Sequence, residues 1–313
     1  MPPIIRVENL TKRYKKARTN ALTAISFQVA AGEFFALLGP NGSGKTTTIS
    51  ILTTTLLPTS GRVIVADHDV TQDPSLVRQE IGIIFQKPSL DRNLTAEENV
   101  RFHALLYGLY PYRPSYGLMP KTYKAKVDEL ASILGIDNEI FNPIKTFSGG
   151  MMRKLEILRS LIHQPRVLFL DEPTAGLDAN SRRALWSYLN EVREQKETTI
   201  FLTTHYLEEA EQANAICIID QGKVVSYGSP EEIKADLIEE YILIDAADRP
   251  KLLEELDRLN VDYSAEGPFR IKSRPHQVHQ LLKAIETPLT IVRTHAPTLE
   301  DAYLEILQRS SWN

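Results

Sequence analysis

Residues 39 to 46 read Gly-Pro-Asn-Gly-Ser-Gly-Lys-Thr, which fits the spacing G-x-x-x-x-G-K-[ST]. Glycines at 39, 42 and 44 allow a tight turn and leave the backbone open to close approach. Successive N–H groups at a helix start can then surround an anion. Lys45 adds a positive charge for terminal phosphates, and Thr46 offers an oxygen to Mg²⁺. This chemistry needs a strand before the loop and a helix after it. The apolar "EFFAL" and "ISIL" on either side supply both. The expected phosphate site is therefore Gly39, Pro40, Asn41, Gly42, Ser43, Gly44, Lys45, Thr46 and Thr47.

Two further groups lie downstream. "VLFLDEP" ends a buried strand in Asp171 and Glu172, at the strand edge where ligands bind in parallel α/β sheets. Asp171 is suited to hold Mg²⁺, and Glu172 to polarise a water against a terminal phosphate. "FSGGMMRKLEI" places Ser148, Gly149 and Gly150 at a helix N-terminus, a second anion site. One nucleotide-gripping lysine stands beside two anion sites; one way to use both is head-to-tail pairing, each Ser-Gly-Gly closing over the partner's nucleotide.

The elements that position these groups can be read from periodicity. The chain has 313 residues, 42% of them apolar, enough for two domains at roughly 150 residues each. Strand-like runs dominate the first third. Residues 95 to 98 form a Thr-x-x-Glu capping box ahead of a helix, and 110 to 120, with three prolines and three tyrosines, reads as a loop. A helix follows at 121 to 135. Another runs from Ser148 to about Gln164, where Pro165 stops it, and a hairpin turns at Gln221-Gly222. A helical subdomain is expected over about 90–164. After about 238 the order becomes β-α-β-β-α-β, a ferredoxin-like arrangement, giving domains 1–238 and 239–313. In the last helix, Leu299, Tyr303, Leu304 and Leu307 are expected to form the apolar stripe.

The formal charge of −4, from 36 Lys and Arg against 40 Asp and Glu, argues against nucleic acid as the main partner. The single cysteine, Cys217, suits a reducing compartment. With no long apolar run and no leader-like start, the chain is expected to be cytoplasmic and to reach a membrane through a partner.

In order and spacing these motifs resemble the ATP-binding-cassette (ABC) ATPases. The family's Leu-Ser-Gly-Gly-Gln is altered here to Phe147-Ser148-Gly149-Gly150-Met151. The resemblance implies an α/β P-loop cassette with a RecA-like core, an antiparallel β subdomain and a helical subdomain, using ATP and Mg²⁺. It implies that Tyr14 stacks on adenine, Gln86 senses Mg²⁺, Asp178 lies at the dimer interface and His205 contacts the γ-phosphate. "FQKPSLDRNLTAEENV" and "APTLEDAYLEIL" resemble the ABC-2 exporter ATPases of the daunorubicin-resistance type. These imply a homodimer that powers a separate transmembrane permease from the cytoplasmic face of the membrane. The alternative is a non-transport ABC ATPase of DNA repair, translation or Fe–S assembly. Only about 100 residues separate Thr46 from Ser148, and there is one cassette, which disfavours the first two. Fe–S assembly leaves the C-terminal domain unexplained.

Overall fold

The computed structural model describes residues 3–85, 89–174, 179–237, 241–264, 268–272, 275–295 and 298–310. They divide into two compact units, Met1–Ser229 and Pro230–Asn313.

The first unit contains a four-stranded antiparallel sheet and a six-stranded sheet. The smaller sheet holds β1 (Ile5–Lys12), β2 (Leu22–Val29), β4 (Ser60–Val65) and β5 (His68–Asp69), in the order β2-β1-β4-β5. The larger holds β3 (Phe34–Leu38), β6 (Ile81–Ile84), β7 (Val167–Asp171), β8 (Thr199–Thr204), β9 (Ala215–Asp220) and β10 (Lys223–Gly228). Its order is β10-β9-β3-β8-β7-β6, parallel except for β10 on β9. Every residue of β3, β7 and β8 is buried, as continuous apolar runs in a covered parallel sheet require.

The register of the large sheet is marked by aromatic rings. Phe35 and Phe169 each pair with Phe201 on the strand between them, at centroid distances of 5.1 and 5.3 Å. Phe27 of β2 stacks on Phe35 at 5.4 Å and joins the two sheets into one core. That register also sets Leu38 beside Thr204 and Asp171 beside Thr203. The C-terminal ends of β3, β8 and β7 are therefore level. The chain leaves β9 by a turn with Gln221 at φ +47° and Gly222 at φ +76°, the backbone that an antiparallel hairpin favours.

Helices α1 (Lys45–Leu52) and α2 (Pro74–Glu80) precede the helical region. The sequence reading missed α2, because Val77 is its sole buried residue and leaves no periodic apolar signal. In α3 (Ala96–Leu106) the expected capping box forms: Glu98 N–H donates to Thr95 Oγ1 at 3.2 Å, and Thr95 N–H to Glu98 Oε2 at 2.8 Å. Helix α4 (Lys121–Leu134) ends at Gly135, with φ +62°. The expected loop 110–120 contains one short turn of 3-10 helix, Tyr116–Leu118. A buried trio holds it: Arg101 donates to both oxygens of Glu97 at 3.0 and 3.1 Å and to Arg113 O at 2.7 Å, while Tyr123 OH donates to Glu97 at 3.0 Å. Next come α5 (Gly149–Leu161), α6 (Ala179–Lys196) and the four-residue α7 (Leu207–Ala210).

The second unit begins with α8 (Pro230–Leu237). It continues through β11 (Tyr241–Ala246), α9 (Arg249–Arg258), β12 (Tyr263–Ser264), β13 (Phe269–Lys272), α10 (Pro275–Ala284), β14 (Leu289–His295) and α11 (Leu299–Ser310). Helix α8 lies before the expected boundary at 238, yet it packs on α11 and so belongs to this unit. The sheet order is β12-β13-β11-β14, with every neighbouring pair antiparallel. Ile242, Ile244, Leu252, Leu256, Phe269 and Ile271 form its buried core. The expected stripe on α11 is corrected: Leu299, Ala302 and Ile306 are buried, whereas Leu304 is 51% exposed. Spacing of i, i+3 and i+7 faces the cover, and Leu304 falls off that line.

Thr95→Ala removes the side-chain half of the capping box at the start of α3, the Oγ1 that accepts from Glu98 N–H. The expected cost is about 1 kcal/mol. A denaturant titration should show a lower midpoint with an unchanged slope.

Candidate nucleotide-binding and hydrolysis site

The phosphate loop leaves the C-terminal end of β3 and enters α1, as its spacing requires. Gly42 and Gly44 have φ of +83° and +115°, values that favour glycine. A Cβ on Gly39 would lie 2.2 Å from Ile219 O and 2.6 Å from Ser43 Oγ, and one on Gly44 2.6 Å from Leu22 Cδ2. The loop is braced by the β9–β10 hairpin, where Gly222 N–H donates to Ser43 O at 2.9 Å. Helix α1 has no side-chain cap and no acidic residue in its first turn, so its leading N–H groups are left for an anion. Ser43 Oγ is buried without a hydrogen-bond partner. This open backbone cradle with an orphaned hydroxyl fits a phosphate chain.

Lys45 is 6% exposed and donates from Nζ to Gly39 O at 2.7 Å and Pro40 O at 3.1 Å. Burial lowers its pKa, and the nearby charges of Glu172 and Asp171 oppose that shift. Thr46 is exposed beside it, and Thr47 Oγ1 lies 3.2 Å from the hydroxyl of Tyr14. Tyr14 therefore reaches the phosphate loop from β1's end of the chain, with its side chain 45% exposed.

Asp171 closes β7 and is 8% exposed, accepting from Thr203 Oγ1 at 2.5 Å. Burial is the main cause that raises its carboxyl above the ordinary value, and Glu172 adds to it. Glu172 follows in the left-handed region at φ +47°, which turns its side chain off the line of the strand. Its N–H donates to Thr203 O at 3.0 Å. One strand over, His205 follows β8, and its Nδ1 stands 3.1 Å from Glu172 Oε1. The structure thus brings Lys45, Asp171, Glu172 and His205 to one sheet edge. An oxygen from Thr46 and a carboxylate from Asp171 are the hard donors that suit Mg²⁺, which takes one or two protein oxygens and phosphates.

Ser148 and Gly149 are exposed at the start of α5, where Ser148 Oγ accepts from Met151 N–H at 3.2 Å. The hydroxyl therefore caps its own helix. Gly149 has nothing within 4 Å of a built Cβ. Gln86 and Asp178 lie outside the described residues.

Two buried groups were missed in the sequence. Glu209, 2% exposed, accepts from Thr174 Oγ1 and, at 2.7 Å, from Thr204 Oγ1. It joins the segment after Glu172 to the one before His205. Arg153 of α5, 6% exposed, reaches the chain on either side of this site. The available signal was a charged residue on the apolar face of a helix: Arg153, Glu156 and Ser160 share the i, i+3, i+7 line of α5, and all are buried.

Residues 22–175 match the ABC transporter family model. The daunorubicin resistance ATP-binding protein DrrA3 of Streptomyces coeruleorubidus is 38% identical over 74% of this chain and 70% of its own length. The Nod factor export ATP-binding protein I of Ralstonia nicotianae is 33% identical over 98% of this chain and 94% of its own. This chain belongs to the ABC transporter family. Among solved structures, the ATP-binding cassette MJ0796, a dimer in a post-hydrolysis state bound to ADP and Pi, superposes with a TM-score of 0.63. It is 26% identical and covers 72% of this chain and 98% of that one. The first unit is an ABC ATPase cassette, and ATP is what it binds and hydrolyses.

Two outcomes follow from the buried carboxylates. Asp171 holds its proton to higher pH when folded than when unfolded, so its ionised form costs stability at neutral pH. Asp171→Asn should raise the melting temperature at pH 7. That gain should vanish as pH falls below the ordinary carboxyl value of 3.8, while Mg²⁺-dependent ATPase activity is lost. Glu209→Leu should strand two buried hydroxyls at about 1–3 kcal/mol each, read as a lower denaturation midpoint together with slower turnover.

Proposed function

We propose that this chain is the ATP-hydrolysing subunit of an ABC-2-type exporter, working as a head-to-tail homodimer on a separate transmembrane permease. The observation that carries the catalytic part is the carboxylate of Glu172, held 3.1 Å from His205 Nδ1 beside Lys45 and Asp171. The reaction is in-line attack of water on the γ-phosphorus, which breaks its bond to the β–γ bridging oxygen, so that ADP leaves and phosphate forms. Glu172 orients the water and accepts its proton as the bond forms. Lys45 leaves the loop carbonyls for the phosphate oxygens, and His205 steadies Glu172 and contacts the γ-phosphate. Thr46 and Asp171 would hold Mg²⁺, which neutralises phosphate charge when bound. Tyr14 supplies a ring for adenine. Gln86 and Asp178 take the sensing and interface roles that the family pattern gives them.

Export is supported by the relatives, two of which are a daunorubicin resistance protein and a Nod factor export protein. The second of these aligns through the C-terminal unit as well, which the non-transport reading leaves unexplained. Among the described residues no helix is long and apolar enough to cross a membrane. The substrate class is a drug, polyketide, lipid or similar molecule, and the station is the cytoplasmic face of the membrane. For residues 239–313 a ferredoxin-like module is favoured by the antiparallel order β12-β13-β11-β14.

Glu172→Gln should keep ATP affinity within about threefold and lower turnover at least 100-fold, the scale of a lost general base. Lys45→Ala should instead weaken binding itself. Near-normal turnover in Glu172→Gln would reject the assignment. In that background, Ser148→Arg should abolish the ATP-dependent dimer in size-exclusion chromatography. A dimer that survives would reject head-to-tail closure.

A further inference from the structure

Arg153 lies one turn into α5, the helix whose start carries Ser148, Gly149 and Gly150. Its guanidinium donates from Nε to Pro173 O at 2.8 Å and from Nη1 to Phe85 O at 2.5 Å. A third contact, Nη2 to Glu172 O at 3.5 Å, is at the limit of a hydrogen bond and weak. The grip is therefore on the residue after Glu172 and on the residue before Gln86. Both acceptors are main-chain carbonyls, so the contact fixes backbone and not a side chain. Glu156, 1% exposed, takes Nη1 at 3.1 Å and also accepts from Ser89 N–H at 2.9 Å. Burial works against the charge on Arg153, and Glu156 and Asp171 support it.

Such a desolvated guanidinium is expensive as a stability device. Its planar fork suits a different task, which a lysine cannot perform: holding two separate segments at fixed angles. Those segments are the ends of β6 and β7, both at the catalytic edge of the sheet. Glu172 sits in the left-handed region, where backbone is strained and must be held by its surroundings.

We infer that Arg153 is a positioning residue, tying the Ser148-Gly149-Gly150 helix to the backbone that aims the Glu172 carboxylate. This rests on the proposed role of Glu172. Under head-to-tail closure, Ser148 of one protomer meets the partner's nucleotide while Arg153 sets Glu172 of its own site. Contact at one nucleotide is then transmitted to chemistry at the other.

The test compares Arg153→Gln, Arg153→Lys and Arg159→Gln in the full chain. Arg159 lies on the same helix and donates to Ser89 O at 2.9 Å and Ser89 Oγ at 2.6 Å, away from the Glu172 segment, so it controls for loss of any arginine from α5. Both Arg153 variants should lower kcat at least tenfold with KM for ATP within threefold. They should also speed amide hydrogen exchange in the 170–174 segment. Arg159→Gln should keep kcat within threefold and leave that exchange unchanged, even where its melting temperature falls. Arg153→Lys keeps the charge against Glu156, so it provides a folded variant if Arg153→Gln does not fold. Wild-type kcat in Arg153→Lys would overturn the inference, as would an equal loss in Arg159→Gln. So would a fall in ATP affinity that matches the fall in kcat. A wild-type chain without ATPase activity, or Glu172→Gln at full turnover, sinks the role of Glu172 instead; the exchange comparison still reports on Arg153.

Discussion

One constraint organises the cassette: ionisable groups are held almost out of water at the C-terminal edge of a parallel sheet. Lys45 and Asp171 are 6% and 8% exposed. Burial disfavours the charge on each, and each supplies part of what the other needs. Neither can be satisfied alone, which is the condition under which a phosphate chain and a divalent cation fit best. Strand register makes the constraint possible, because β3, β8 and β7 end level and deliver the lysine, the threonine and the carboxylates to one line.

Around that edge, the supports are themselves buried and polar. Thr203 holds Asp171, Glu209 ties Thr174 to Thr204, and the β9–β10 turn clamps the phosphate loop through Gly222. These groups fix backbone positions on both sides of Glu172. They explain how a residue at φ +47° is maintained where an ordinary strand end would relax. Arg153 extends the same logic to α5, the helix that Ser148 caps.

The two Ser/Gly-rich helix starts differ in a way that matters for their use. Helix α1 begins uncapped, with its N–H groups reserved for an anion, whereas α5 uses Ser148 as its own cap. The first is a finished cradle. The second is an exposed helix end with an open glycine, suited to meeting a ligand brought by another surface.

Much of the site was legible in the sequence because its chemistry is local. The phosphate loop, the strand ending in Asp171-Glu172, the capping box at Thr95 and the turn at Gln221-Gly222 are each specified by residues next to one another. The second unit's strand order agrees with the periodic pattern read there. What sequence could not give came from long-range pairing. Arg153, Glu209 and Thr203 act on residues 20, 35 and 32 positions away, and Arg153 also on Phe85, 68 positions away. A buried arginine on a helix looks the same whether it serves stability or positioning. Helix α2 escaped because a single buried valine carries no period, and the α11 stripe was misplaced because its cover, α8, is set by packing. Local sequence determined which chemistry this chain carries; tertiary structure decided which groups aim it, because distant segments meet only when the sheet register is formed.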